Sequence, residues 1–207
     1  MPAAQEYQKV TECLFYWSIF DPGVKCDLSS HAWNSPKGLV FFDPVPLAED
    51  ALVELTQSVR PHAIYLTNAN HARSAEWYRS KFSIPIFAPS ESLAELEIKP
   101  DGTLDIHPLS PELLSIPLTG GGLGETAYYI PASQSLILGD ALVHLPQTGF
   151  TYLPDKYCRD SHQLKESSRA LLELDVSIIC FAHGMPIVQK AADRLKNLIL
   201  SNSQQAK

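Results

Sequence analysis

No stretch of this sequence approaches the run of about 18 apolar residues that a membrane-crossing helix requires. The opening MPAAQEYQKV carries no apolar signal region. There is no run of Lys and Arg. The 16 basic residues face 23 acidic ones, for a net charge of −7 and a pI near 5.4, which opposes a nucleic-acid partner. The four cysteines, Cys13, Cys26, Cys158 and Cys180, form no C-x-x-C pair, and a chain of 207 residues does not need disulfide staples. They are expected to be reduced thiols, with Cys180 filling core inside the apolar run VSIICF. The run Gly120-Gly121-Gly122 lacks the lysine and the following helix of a phosphate-binding loop, so it reads as a flexible turn. No Ser-His-Asp or Cys-His set stands at recognisable spacing. These absences leave the expectation of a soluble cytoplasmic protein with no nucleic-acid partner and no membrane span. The oligomeric state is left open.

What is present is an ordinary globular composition, 45% hydrophobic and 19% charged, long enough for one domain over 1–207 with a substantial core. Strand-like runs are predicted at 13–20, 38–42, 63–66 and 84–87, then at 103–106, 113–118, 126–130, 135–138 and 176–181. Helices are predicted at 47–59, with Leu52, Leu55 and Val59 on one face, and at 74–82, with Trp77, Tyr78 and Phe82 inward. A third is predicted at 160–174 on Leu164, Leu171 and Leu172. The last is the clearest, with Ile187, Val188, Ala191, Ala192, Leu195, Leu198 and Ile199 in one stripe. The tail SNSQQAK is expected to fray. Two sheets with helices outside would bury these runs on both faces.

Three predicted strands end at polar residues: Leu66-Thr67-Asn68, Leu138-Gly139-Asp140 and Phe181-Ala182-His183. Strand ends gathered at one sheet edge are where α/β sites lie. Together with LTNANHAR (66–73), IPLTGGGLGETAYYI (116–130) and LVFFDP (39–44), they resemble the metallo-β-lactamase fold superfamily from roughly Phe15 to Ile199. The resemblance implies an α/β fold, a four-layer αβ/βα sandwich of two mixed sheets with helices outside. It also implies a metal-dependent hydrolase of a small ester, thioester, amide or phosphodiester. In active members a T-H-x-H-x-D-H loop, a G-H-x-x-G loop, a G-D strand end and a final histidine hold two metals, which lower the pKa of water and polarise the bond to be cut.

Carried over position by position, Thr67 matches, Asn68 and Asn70 stand for two histidines, Ala72 for the aspartate and Arg73 for the third histidine. Gly121 stands for the second loop's histidine. Asp140 and His183 match. Five of seven ligand positions are thus substituted, so at most one zinc, manganese or iron ion is expected, on Asp140 and His183. His71 is a further candidate, one residue out of register, where a slip in a strand reverses a side chain. Arg73 is expected to pair with Asp140 and replace the metal's charge. Without metal, His183 or His71 would be the base and Arg73 the oxyanion partner.

Plainer readings stand beside these. Asn68 and Asn70 are also good turn residues, and Asp140 and His183 could be relics bonded across the sheet edge. Glu125 reads as a solvated turn carboxylate. His31, His62, His107, His144 and His162 share no metal spacing, although His31 and Trp33, in a predicted loop before GLVFF, are weak pocket candidates. Tyr152 and Tyr157 are read as exposed aromatics. Two functions remain open: a hydrolase with one metal or none, or an inactive relative that binds a small molecule or partner protein in the former cleft, with Asn68, Asn70 and Gly121 lining it.

Overall fold

The computed structural model of the protein describes residues 2–104 and 111–201. The chain opens with β1 (Gln8–Lys9), β2 (Leu14–Asp21), β3 (Cys26–Ser35) and β4 (Gly38–Phe42), joined as antiparallel neighbours. After helix α1 (Glu49–Gln57) come β5 (Pro61–Tyr65), α2 (Ala75–Phe82), β6 (Ile86–Ala88) and β7 (Gly102–Thr103), which run parallel and complete a seven-stranded sheet. The second half supplies β8 (Leu114–Pro117), β9 (Thr126–Ile130) and β10 (Ser135–Leu138). A separate hairpin, β11 (Leu142–Leu145) and β12 (Gly149–Tyr152), is followed by α3 (Ser161–Ser167), β13 (Ile178–Phe181) and α4 (Ala191–Ser201). The second sheet has the order β13-β10-β9-β8, with β10 and β13 parallel.

Alternation along the strands builds four layers. On β4, Leu39 and Phe41 join Leu52, Leu55 and Tyr78 of α1 and α2, whereas Val40 and Phe42 face the second sheet. There they meet Tyr128, Ile137 and Cys180. On the far face Leu136, Leu138, Ile179 and Phe181 pack with Leu164, Leu195 and Ile199 of α3 and α4. Helices therefore cover the outer face of each sheet, and a dry apolar layer fills the space between the sheets. Cys180 is buried in that layer, as its apolar run predicts.

Several elements differ from the pattern read off the sequence. The largest difference is β3: His31 and Trp33 lie in a central strand rather than a loop, 2% and 5% exposed. Its run of Ser, His and Asn lacks strand periodicity because its hydroxyls serve backbone groups elsewhere. Ser30 Oγ donates to Asp43 O and accepts from Val45 N, and Ser29 Oγ donates to Gly184 O. Helix α4 starts at Ala191, not Ile187. Ile187 pairs with Ile179 across an isolated bridge and Val188 is exposed. The helix over 160–174 is α-helical only to Ser167 and continues as a tighter 3-10 stretch over Ser168–Glu173. Trp77 points outward, 47% exposed, while Tyr78 takes the core position. Tyr152 is buried and only Tyr157 is exposed. The predicted strand over 103–106, His107 and the tail extend into residues outside those described.

His31 carries a testable consequence. Its ring packs 5.6 Å from Tyr16, and its Nε2 has no hydrogen-bond partner among the described residues. Burial drives its pKa from 6.5 down to about 3, while Asp43 pulls it up and Arg73 presses it down. The folded protein therefore holds a neutral imidazole where the unfolded chain takes up a proton below pH 6.5. This contribution to stability is complete above pH 6.5 and is lost as pH falls towards 3. Relative to wild type, His31→Phe is expected to gain about 2 kcal/mol in urea unfolding on going from pH 7.5 to pH 5. An unchanged difference between the two pH values would show that His31 is not the group responsible.

Candidate metal centre

The polar ends of β4, β5, β10 and β13 meet at one edge, where the chain leaves the sheets as Asp43, Thr67-Asn68, Gly139-Asp140 and Ala182-His183. The loop between β8 and β9 closes the same edge with Gly121, Gly122 and Glu125.

Asp43 anchors the first part. Its Oδ1 accepts the Thr67 backbone N–H at 2.9 Å and its Oδ2 accepts the Thr67 hydroxyl at 2.6 Å. With the hydroxyl proton engaged there, Nδ1–H of His71 is left to donate to Asp43 Oδ2 (2.9 Å) and Thr67 Oγ1 (2.7 Å). This fixes the His71 tautomer and turns its Nε2 towards Asp140, 3.2 Å from Oδ1. Burial presses the Asp43 carboxyl up, but His71, Arg73 and Thr67 outweigh it and hold Asp43 below the usual carboxylate range.

The register argument against His71 fails for a local reason. Residues Ala69–His71 are not a strand but a 3-10 turn, whose N-cap Asn68 accepts the Asn70 N–H with its side chain. The turn breaks the two-residue alternation and brings His71 inward, 3% exposed, while Asn70 is exposed.

His183 is built the same way from the opposite end of the chain. Its Nδ1 donates to the Asp27 carbonyl at 3.0 Å, with Cys26 Sγ at 3.4 Å, so Nε2 faces Asp140 Oδ1 at 3.0 Å. Two imidazoles thus aim Nε2 at one carboxylate oxygen. Burial lowers the pKa of His71, yet Asp140 and Asp43 raise it to about 9 despite Arg73. Burial alone would raise Asp140, but the two histidines hold it well below the carboxylate range. His183 is lowered by burial and raised, on balance, by Asp140 and Cys26.

Glu125 is not a solvated turn residue. It is 3% exposed, with Oε1 accepting the Ala141 N–H at 3.0 Å and Oε2 accepting Asn68 Nδ2 at 2.8 Å. The Asn68 amide also donates to Asp140 Oδ2 at 3.1 Å, so it bridges the two carboxyls. Burial, then Asp140, lift Glu125 to about 8, against pulls from Ala141, His71 and Asn68. In sequence, the only hint of this placement was its position seven residues after Leu118, inside the loop that closes the site.

Arg73 does not pair with Asp140. Its guanidinium donates to three carbonyls, Ser29 O at 2.6 Å, Asp43 O at 3.1 Å and Ala182 O at 3.2 Å. It is a clamp between β3 and the ends of β4 and β13, in the left-handed region at φ +40°, as Asp43 is at φ +48°. Its charge still reaches Asp43 and Asp140 through space.

Among the described residues, His71, Asp140 and His183 form a group whose donor atoms all lie within 4.8 Å of one another. Two imidazole nitrogens with their distal N–H groups bonded, and one carboxylate, are a donor set suited to a single zinc, manganese or iron ion. The residues therefore fit one metal. They do not fit the pair that the resemblance implies, because Asn68, Asn70 and Gly121 offer neither imidazole nor carboxylate.

The chain thus gathers a two-histidine, one-carboxylate cluster at one edge of a four-layer αβ/βα sandwich. The sequence matches the metallo-beta-lactamase superfamily over residues 9–202, and the chain belongs to that family. A search of curated protein sequences gives no match. Among solved structures, the fold is similar to the DIM-1 metallo-beta-lactamase exposed to ceftazidime, at 17% identity, covering 97% of this chain and 98% of that one with a TM-score of 0.71. It is also similar to a metallo-beta-lactamase from Pontibacter korlensis, at 12% identity, 94% and 98% coverage and a TM-score of 0.72. A third, the BLEG-1 B3 metallo-beta-lactamase, is 23% identical over 83% of this chain and 93% of that chain, with a TM-score of 0.61. At these identities the likeness establishes the fold.

Proposed function

We propose that this chain is a hydrolase that works with one metal ion held by His71, Asp140 and His183, acting on a small ester, thioester, amide or phosphodiester. The observation that carries this reading is the convergence of two imidazole Nε2 atoms on Asp140 Oδ1, each ring fixed by an acceptor behind its Nδ1. When bound, the ion would supply a water of lowered pKa and polarise the bond to be cut. The chain's own groups do the rest. Asp43 and the Asp27 carbonyl orient the rings. Asn68 holds Asp140 on the side away from the histidines. Glu125 lines a cavity of about 440 Å³ together with Ser90, Thr119, Gly122, Arg159 and Gln163. None of His71, Asp140 and His183 lines that cavity, so Glu125 is the one group of this network that it reaches.

The second reading, an inactive relative that binds a ligand or partner in the cleft, is supported by a different observation. Both oxygens of Asp140 already have partners, so the network closes without an ion. Protein purified without chelator separates the two. The enzyme reading expects near one zinc, manganese or iron per chain, lost in Asp140→Ala, with turnover on an ester and phosphodiester panel that disappears in the same variant. Metal-free protein with no turnover after metal is added back would leave the binding reading.

A further inference from the structure

We propose that Asn68 limits this centre to a single metal ion, because its amide presents hydrogen-bond donors where a second cation would need electron pairs. Asp140 uses Oδ1 towards both imidazoles, so a second ion could share this carboxylate only through Oδ2. That oxygen accepts one N–H of Asn68 at 3.1 Å, and the other goes to Glu125 Oε2 at 2.8 Å. The amide cannot simply turn over. Its Oδ1 accepts the Asn70 backbone N–H at 2.9 Å, and a flip would set that oxygen against the Asp140 carboxylate and the NH2 against a backbone donor. Asn68 is fully buried, so water does not relieve either clash.

Packing closes the same side independently. A Cβ built on Gly121 would lie 3.0 Å from Glu125 Cγ, and one on Gly139 would lie 2.5 Å from Glu125 Oε1. The Glu125 side chain therefore fills the room beside these two glycines. A donor side chain at position 121 has no space until Glu125 moves. The side of Asp140 away from the histidines is a pair of carboxyls cross-linked by one neutral amide, and the ion it excludes is a hard or borderline divalent cation.

This inference rests on the one-metal reading above, and one experiment separates their failures. Manganese is titrated into the full chain and into Asn68→Asp, followed by the electron paramagnetic resonance signal of free Mn²⁺ and by calorimetry. The substitution replaces two N–H donors with oxygen lone pairs beside Glu125 and Asp140, which gives three carboxyls for a cation that prefers oxygen. Wild type is expected to saturate at one ion per chain and the variant to take one more. A second ion in wild type, or no gain in the variant, overturns the inference. Should wild type bind none, the one-metal reading fails, yet a rise from none to one in the variant still supports the role of Asn68. If circular dichroism shows the variant unfolded, the wild-type stoichiometry at saturating manganese decides: one ion supports the inference and two overturn it.

Discussion

If His71, Asp140 and His183 hold one metal ion as proposed, His71→Ala is expected to purify metal-free, with the dissociation constant raised by more than about 100-fold. With His71 removed, only Asp140 and His183 remain, and two protein donors are one fewer than a catalytic zinc ordinarily takes. Asp43→Asn is the graded companion. It leaves all three donors but deprives His71 Nδ1 of the carboxylate that fixes its tautomer, and outer partners of this type are worth roughly 10–100-fold in affinity. Calorimetric titration of both variants, with near-ultraviolet circular dichroism as a check on packing, reads the two effects. Wild-type affinity in His71→Ala would remove the residue from the centre.

The largest effect on stability is expected from Arg73→Met, about 3–5 kcal/mol in urea unfolding at an unchanged denaturant slope. The guanidinium donates to the carbonyls of Ser29 within β3, Asp43 after β4 and Ala182 after β13, and its cation lies near the buried Asp43 and Asp140. Methionine fills the volume but removes one donor from each carbonyl, leaving Asp43 O to Ser30 Oγ and Ala182 O to the Ser29 N–H, and leaves the two carboxylates short of a counter-charge. Arg73→Lys is expected to recover part of the loss. An ammonium restores the charge but not the planar fork that reaches both β3 and β13. A loss within about 0.5 kcal/mol for Arg73→Met, the range of ordinary surface substitutions, would mean that the clamp does not hold the sheets together.

Where the sequence could be read, and where it could not, follows from which signals are local. The polar ends of β5, β10 and β13 stand out because Leu66-Thr67-Asn68, Leu138-Gly139-Asp140 and Phe181-Ala182-His183 follow continuous apolar runs, the mark of strands buried on both faces. The strand β3 is hidden because Ser29, Ser30 and His31 are polar for tertiary reasons: each faces backbone or rings far away in sequence. Glu125 is hidden for the same reason, since its burial is set by Asn68 and Ala141, 57 and 16 residues distant. His71 shows a third kind of limit. Strand alternation points it away from Asp140, and only the 3-10 turn capped by Asn68 reverses that. The expected Arg73–Asp140 pair had the right charges but the wrong acceptors, because nothing in one-dimensional spacing tells a carboxylate from a nearby carbonyl.

The three converging residues, His71, Asp140 and His183, are also separated widely along the chain. Closing a loop costs entropy that grows with its length, and here each half of the molecule contributes at least one donor. The strands of the first sheet lead to His71 and those of the second to Asp140 and His183, so neither alone offers a complete cluster. The centre exists only after the two sheets dock across the layer of Val40, Phe42, Tyr128 and Cys180. Neither sheet is a portable unit, and no fragment that ends before residue 183 can carry the chemistry. Anything that binds across this edge binds only the docked form and so stabilises the packing of one sheet on the other.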